Sequence, residues 1–456
     1  MFNSINPATE AQLGQFSPDE PAHIDQALDL ANKAQREWRR LDVNQRTPLL
    51  RQLALTLRKH KGEWARLITL EMGKPLSEAL AEVEKCAVTC DFYAEHATRM
   101  LSDTSIESNA SDSRIVHDPL GIVLAVMPWN YPFWQAMRAA VPAIVAGNGL
   151  FLKHAANVPQ CARALEALFV EAGAPPGLFT APLLPSSAVE GLINDERIAA
   201  VTFTGSTPVG RTIASQAGNA LKKQVLELGG SDPFVVLADA DVEAAAAAAV
   251  KARFSNTGQS CISSKRFIVE ETIADRFVEA FCNGASKLVQ GDPLNEGVGL
   301  GPMARGSLRD ELHAQIAATV AEGAQLKLGG ELPSGPGYFY PATVLDHVTP
   351  NMTAAKQETF GPAAAILRVR DTEEAIALAN ATEFGLGATL WTKDASHGRA
   401  LARHIDAGAV FINGLVASDP RLPFGGVKQS GYGRELGAHG LHEFTNVKTL
   451  WSGPAR

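Results

Sequence analysis

GIVLAVMPWNYPFWQAMRAAVPAIVAGNGLFLK, residues 121–153, is the stretch from which the architecture is read. It opens on a short apolar run bounded by Gly121 and Pro128, continues as a helical segment, and closes on LFLK at 150–153. The same alternation runs on through AVTF (200–203), VLEL (225–228) and FVVLA (234–238), each separated by a helix-like segment. It resumes past Cys261 with RFIV, AAAILRV, ATLW and AVFIN. Short β-rich runs alternating with helices predict parallel α/β architecture, because parallel strands need a crossover between them. Two α/β units, split near 229–233, fit the length.

Upstream, the first hundred residues read as helices. Ile24, Ala27, Ala31, Ala34 and Trp38 recur at three- and four-residue steps and make one apolar stripe. Thr47-Pro48 offers a cap and a first-turn proline ahead of LLRQLALTLRKH. The Ser-rich stretch SDTSIESNASDS (102–113) lacks helical period and reads as a surface hairpin or arm.

A chain of 456 residues exceeds one compact core, and 46% hydrophobic with 20% charged residues is ordinary for a globular enzyme. The net charge of −8, without blocks of like charge, disfavours nucleic acid or an anionic membrane as partner. The five cysteines (86, 90, 161, 261 and 282) are sparse and odd in number, which favours free thiols over a disulfide framework. Cys86 and Cys90 lack the second close pair a metal site would want, so no metal is expected. The start, MFNSINPATEAQLG, has neither the basic end nor the apolar core of a signal peptide, and no apolar run nears the ~20 residues of a membrane span. A cytoplasmic protein is expected.

Three segments carry chemistry. Pro128-Trp129-Asn130-Tyr131-Pro132 follows an apolar strand and places an amide at its carboxyl end, where open α/β sheets bind ligands. Glu227-Leu228-Gly229-Gly230 puts a carboxylate at a strand end beside two glycines, with room for water or substrate. Asn256-Thr257-Gly258-Gln259-Ser260-Cys261 presents a cysteine after a Gly-containing turn, a good nucleophile if its pKa fell below the free value of about 8.5. Taken singly, each also reads as structure: a turn Asn, a salt-bridged Glu, a packed Cys.

Together they resemble the aldehyde dehydrogenase superfamily. The resemblance spans nearly the whole chain: INPAT near the start, FTGST at 203–207, LELGG at 226–230, NTGQSC at 256–261, ETFGP at 358–362 and PFGGVKQSGYGREL at 423–436. It implies two Rossmann-like α/β domains with parallel-rich sheets plus a small oligomerisation arm. The cofactor-binding domain would take residues 1–100 and 118–229, the catalytic domain 230–429, and the oligomerisation element 101–117 with 430–456. Cys261 matches the nucleophile, Asn130 the oxyanion donor, and Glu227 the base that activates water.

For the cofactor, NAD or NADP, the resemblance implies Gly205 and Ser206 at the pyrophosphate, at the start of a helix whose free N–H groups suit an anion. It places Lys153 on the adenosine ribose, Trp129 and Asn130 along the cofactor path, Leu228 near the nicotinamide and Glu358 on its ribose. The Gly297–Gly301 run is a loop and not a dinucleotide motif. One position departs: Ala156 stands where NAD⁺-selective relatives often carry a ribose-binding glutamate, so strict NAD⁺ dependence is in doubt. Within the family the chain is most similar to bacterial succinate-semialdehyde dehydrogenases. That implies Arg138 on the distal carboxylate and Ser418 in the substrate tunnel, while Ser263 stands where some relatives keep a second, redox-active cysteine. A CoA-acylating enzyme and a non-catalytic protein reusing the fold are the alternatives, and the presence of Glu227 argues against the first. A homodimer or homotetramer is expected.

Overall fold

In the computed structural model, which describes residues 1–453, the strands predicted from the alternation assemble into two separate sheets. The first has six strands, in the order Gly431–Tyr432, Lys223–Glu227, Ile198–Thr204, Ile122–Val126, Gly149–Lys153, Phe179–Thr180. All pair in parallel except the outer Gly431–Tyr432. The second has seven, in the order Gln325–Leu328, Thr343–Asp346, Ala363–Val369, Arg266–Glu270, Pro233–Val236, Gly387–Trp391, Ala409–Ile412. Only Gln325–Leu328 runs antiparallel there. The fold class expected from the sequence is the one observed.

The central strands read as unbroken apolar runs because helices cover both faces: Ile122–Val126, Gly149–Lys153 and Arg266–Glu270 are buried at every residue. Each fully buried Val, Leu or Ile contributes roughly 1.5–3 kcal/mol. In the six-stranded sheet the chain moves from Ile122–Val126 outward on one side and then returns to Ile198–Thr204 on the other. The crevice at that reversal, outside the carboxyl ends of the strands, is where such sheets take ligands. Pro128–Asn130 and Gly205–Ser206 lie at those ends.

A third sheet is antiparallel and pairs Thr445–Ser452 with Asp112–Pro119, which pairs in turn with Thr104–Ser105. The Ser-rich stretch is thus a hairpin arm, as its composition indicated. Residues 454–456 of the expected oligomerisation element lie outside the described residues.

Two local readings are corrected. The N-terminal hundred residues are not all helical: Phe2–Ile5 and Gln12–Phe16 form an antiparallel hairpin whose Phe2 packs with Ala162 and Leu183. Strands this short leave little periodic signal. The second helix begins at Val43, not at Pro48, because Asp42 and Gln45 cap each other reciprocally at 3.1 and 2.9 Å. Pro48 is tolerated inside it, where the Thr47 hydroxyl donates to the Asn44 carbonyl that a proline N–H cannot reach, at 3.2 Å.

Candidate active site

The loop that carries Cys261 is strained and tightly held. Asn256, Thr257 and Gly258 follow one another at φ of 54°, 55° and 69°. The two that are not glycine cost of order 1–3 kcal/mol each. Two buried cations offset this by gathering the loop's carbonyls. Arg253 donates to the carbonyls of Gly258 (3.2 Å), Ser264 (3.0 Å), Thr359 (2.9 Å) and Gly361. Lys265 donates to those of Ser260 (3.1 Å), Cys261 (2.9 Å) and Ser263 (3.1 Å). Charge-assisted bonds contribute about 1.5–3 kcal/mol apiece, enough to hold the strain.

The turn after Ile122–Val126 is stitched to this loop. Asn130 Nδ2 donates to the Gln259 carbonyl at 3.0 Å, and Asn256 Nδ2 donates to the Asn130 carbonyl at 2.9 Å. An amide nitrogen carries two hydrogens, so Asn130 keeps one donor for another acceptor.

Three cavities adjoin here. One, of about 700 Å³, is lined by Trp129, Lys153, Ala156, Gly205 and Ser206. A second, of about 630 Å³, is lined by Trp129, Asn130, Gly205, Ser206, Leu228, Glu358 and Cys261. The third, of about 280 Å³, is lined by Cys261, Arg138 and Ser418 together with Lys85, Trp134 and Phe424. Cys261 lies on the wall between the second and third. Every site residue expected from the sequence except Glu227 therefore faces one of three connected spaces.

The first two cavities fit a dinucleotide. Ser206 is the N-cap of helix Thr207–Asn219, and its side chain makes no capping bond, so the first N–H groups remain available to an anion. Gly210 lets this helix close on Leu228, since a Cβ there would come within 2.3 Å of Cδ2. Lys153 donates to Ser186 Oγ at 3.4 Å, and burial lowers its pKa. At the other end Glu358 accepts from the Gly230 N–H at 3.0 Å and lies 3.5 Å from Lys265 Nζ.

Glu227 ends its strand fully buried, and neither carboxylate oxygen has a hydrogen-bond partner among the described residues. Burial raises its pKa to about 8, and the neighbouring carboxyl of Glu435 adds to the rise. Glu435 is itself buried, pushed upward by burial, and ion-paired with Arg138. Arg138 is thus not a free cation: its guanidinium also reaches Thr204 Oγ1 at 3.4 Å and lies 4.8 Å from the Phe424 ring centre. The Cys261 thiol is pushed up to about 12 by burial, with Glu227 and Glu358 adding to the rise and Arg138 and Lys265 opposing it. A base close to the thiol would favour its ionisation against this burial.

Reading the sequence missed Lys85, Trp134, Phe424, Arg305 and Glu435. Arg305 stacks over Trp129 at 5.8 Å, and Phe360 meets the same ring edge-on at 5.9 Å. A signal for Lys85 was present, because Glu78, Glu82 and Lys85 fall on one face of helix Leu76–Met100, a charged line on a largely buried helix.

The sequence matches the profile of the Aldehyde dehydrogenase family over residues 1–450. The chain belongs to that family. It is 52% identical over 448 residues to the NAD(P)+ succinate semialdehyde dehydrogenase Sad of Escherichia coli (strain K12), covering 98% of this chain and 97% of that one. It is 46% identical over 457 residues to an NADP(+) succinate-semialdehyde dehydrogenase of Mycobacterium avium (strain 104), covering 99% and 97%. The crystal structure of succinic semialdehyde dehydrogenase from Streptococcus pyogenes in complex with NADP+ superposes with a TM-score of 0.97 at 36% identity, covering 100% of both chains. Within the aldehyde dehydrogenase family, then, relatives bearing both NAD(P)+ and NADP+ names match this chain from end to end. Among the described residues no helix is long and apolar enough to cross a membrane.

Proposed function

We propose that this aldehyde dehydrogenase oxidises succinate semialdehyde to succinate with NAD(P)+. The observation that carries the reading is the position of Cys261. It lies on the wall shared by a dinucleotide-sized space and a smaller one lined by cations and aromatic rings.

Cys261 Sγ attacks the aldehyde carbon while the ionised form of Glu227, which has no hydrogen-bond partner among the described residues and titrates near 8, takes the thiol proton. The new oxyanion is held by the spare N–H of Asn130 Nδ2 and by the Cys261 backbone N–H, and one such donor contributes ~3 kcal/mol. An oxidised nicotinamide held along Trp129, Leu228 and Glu358 would supply the hydride acceptor. Loss of hydride from the carbon leaves a thioester on Cys261. Glu227 first gives up the thiol's proton to solvent, then takes a proton from water as the water oxygen attacks the thioester. The C–S bond breaks to release the acid and restore the thiolate. In sum an aldehyde, water and NAD(P)+ give a carboxylate, NAD(P)H and two protons.

Residues 1–100 and 118–229 would serve the cofactor and 230–429 the catalytic loop. The arm at 101–117 with the C-terminal segment would join subunits. Seven of the eight residues of Thr445–Ser452 are exposed, Val447, Leu450 and Trp451 among them. Such a surface favours a homodimer or homotetramer, in a cytoplasmic enzyme. Ala156 leaves no carboxylate to repel a 2′-phosphate, which supports use of NADP+ as well as NAD+.

The test is a steady-state assay at 340 nm with succinate semialdehyde, glutarate semialdehyde and butanal against both cofactors. A clear kcat/KM preference for the acidic aldehydes, with free acid formed in the absence of CoA, supports the reading. Equal use of butanal would overturn the substrate, and a CoA requirement would overturn hydrolysis.

A further inference from the structure

The third cavity holds a cation that has no carboxylate counter-ion among the described residues. Lys85 projects from helix Leu76–Met100 into the space lined by Cys261, Arg138 and Ser418. Its Nζ donates to Ser418 Oγ at 2.7 Å and lies 4.2 Å from the Trp134 ring centre. Among the described residues no carboxylate forms an ion pair with it.

The acidic neighbours are engaged elsewhere. Glu82 pairs with Lys74 and accepts from the N–H groups of Phe133 and Trp134, both at 2.9 Å. Glu78 accepts from the Asn256 N–H at 2.7 Å. Asp419 pairs with Arg421 at 2.5 Å. Arg138, the other cation in the cavity, already has its counter-ion in Glu435. A mostly buried ammonium with one neutral acceptor and one aromatic ring beside it is costly unless an anion arrives to match it.

On the reading that the substrate is an acidic semialdehyde, we propose that Lys85, with Ser418, receives its distal carboxylate. Arg138, ion-paired with Glu435, flanks the same cavity. The assignment adds Lys85 to the carboxylate site that the sequence had placed on Arg138. It also gives the serine at 418 a role: its hydroxyl accepts from Lys85 and can turn to donate to a carboxylate.

The charge on Lys85 is labile. Burial pulls it down to about 8, and Arg138 from helix Pro132–Val145 adds to that fall. Glu82 and Cys86 on its own helix and Asp419 from the loop before Pro423 oppose it. Glu78, Tyr131 and Cys261 complete the titratable lining of the cavity. Only the protonated amine binds a carboxylate, so discrimination for an acidic aldehyde weakens as pH rises through about 8.

The experiment measures kcat/KM for succinate semialdehyde and for butanal in the wild type, Lys85→Met and Lys85→Arg, at pH 7 and pH 9. Taking the ratio of the two substrates cancels titration of the shared chemistry at Cys261 and Glu227. Lys85→Met is expected to lower the ratio roughly tenfold to a hundredfold, the range for a lost charge-assisted bond. Lys85→Arg, whose charge does not titrate, is expected to restore most of it and to remove its fall between pH 7 and pH 9. Inhibition by succinate is expected to weaken in parallel in Lys85→Met. A preference kept intact in Lys85→Met, or losses equal on both aldehydes, would overturn the assignment while leaving the substrate reading in place. A wild type without any preference would overturn the substrate reading and this assignment with it.

Discussion

Two buried carboxylates, Glu82 and Glu227, live under opposite conditions. Glu82 is saturated: one oxygen receives two backbone N–H groups at the start of helix Pro132–Val145, and the other meets the fully buried Lys74. Glu227 receives nothing, and burial together with Glu435 pushes it up to about 8. The first arrangement stabilises an anion and positions a helix. The second destabilises the anion and leaves a carboxyl ready to exchange a proton. Burial alone therefore says little about role, and hydrogen-bond saturation says much.

The largest expected effect lies on the reactive side of this contrast. Cys261→Ala is expected to abolish dehydrogenase activity while cofactor binding, followed by protein fluorescence, persists. Retained turnover would place the nucleophile elsewhere. Next comes Glu227→Gln, expected to slow turnover by about 10²–10⁴, the usual worth of a general base. Loss concentrated in hydrolysis would show as a burst of reduced cofactor in stopped-flow traces before a slow steady state.

Glu82→Gln should act on stability instead. It strands Lys74 in the interior and is expected to cost about 3–5 kcal/mol in urea unfolding. A stable Glu82→Gln protein with impaired turnover would erase the distinction between the two carboxylates.

The pH dependence of stability sharpens the same contrast. Glu227 keeps its proton when folded up to about 8, whereas its ordinary value is 4.5. Between those limits the folded chain binds the extra proton, so this residue's contribution to stability is full at low pH and is lost as pH rises to 8. Denaturation midpoints of the wild type should fall relative to those of Glu227→Gln across that window. Parallel curves would mean that Glu227 is not held neutral. The smallest effect is expected far from both carboxylates: Ala156→Glu should lower NADP+ efficiency relative to NAD+ by roughly tenfold, about 1–2 kcal/mol for a mispaired charge. An unchanged ratio would mean that another segment reads the 2′ position.

Much was legible before any coordinates. The strand–helix alternation from Gly121 onward is a periodic signal repeated many times, and it survives because parallel strands buried on both faces must be apolar throughout. The short motifs around Asn130, Glu227 and Cys261 were visible because together they resemble one family, whereas singly each also reads as structure. The hairpin at Phe2–Phe16 was not visible, since its strands are too short to carry a period.

What only the tertiary structure decided is which charges meet. The sequence by itself determined that Arg138 lies eight residues past Asn130. It could not show that Glu435, almost three hundred residues further on, takes that guanidinium as its counter-ion. Nor could it show that Lys85, on a helix formed well before the first sheet, reaches Ser418. Local order follows from backbone propensity and apolar period, which act over a few residues. Charge pairing and proton affinity depend on burial and on neighbours brought together by the whole fold, so they exist only once the chain has closed around them.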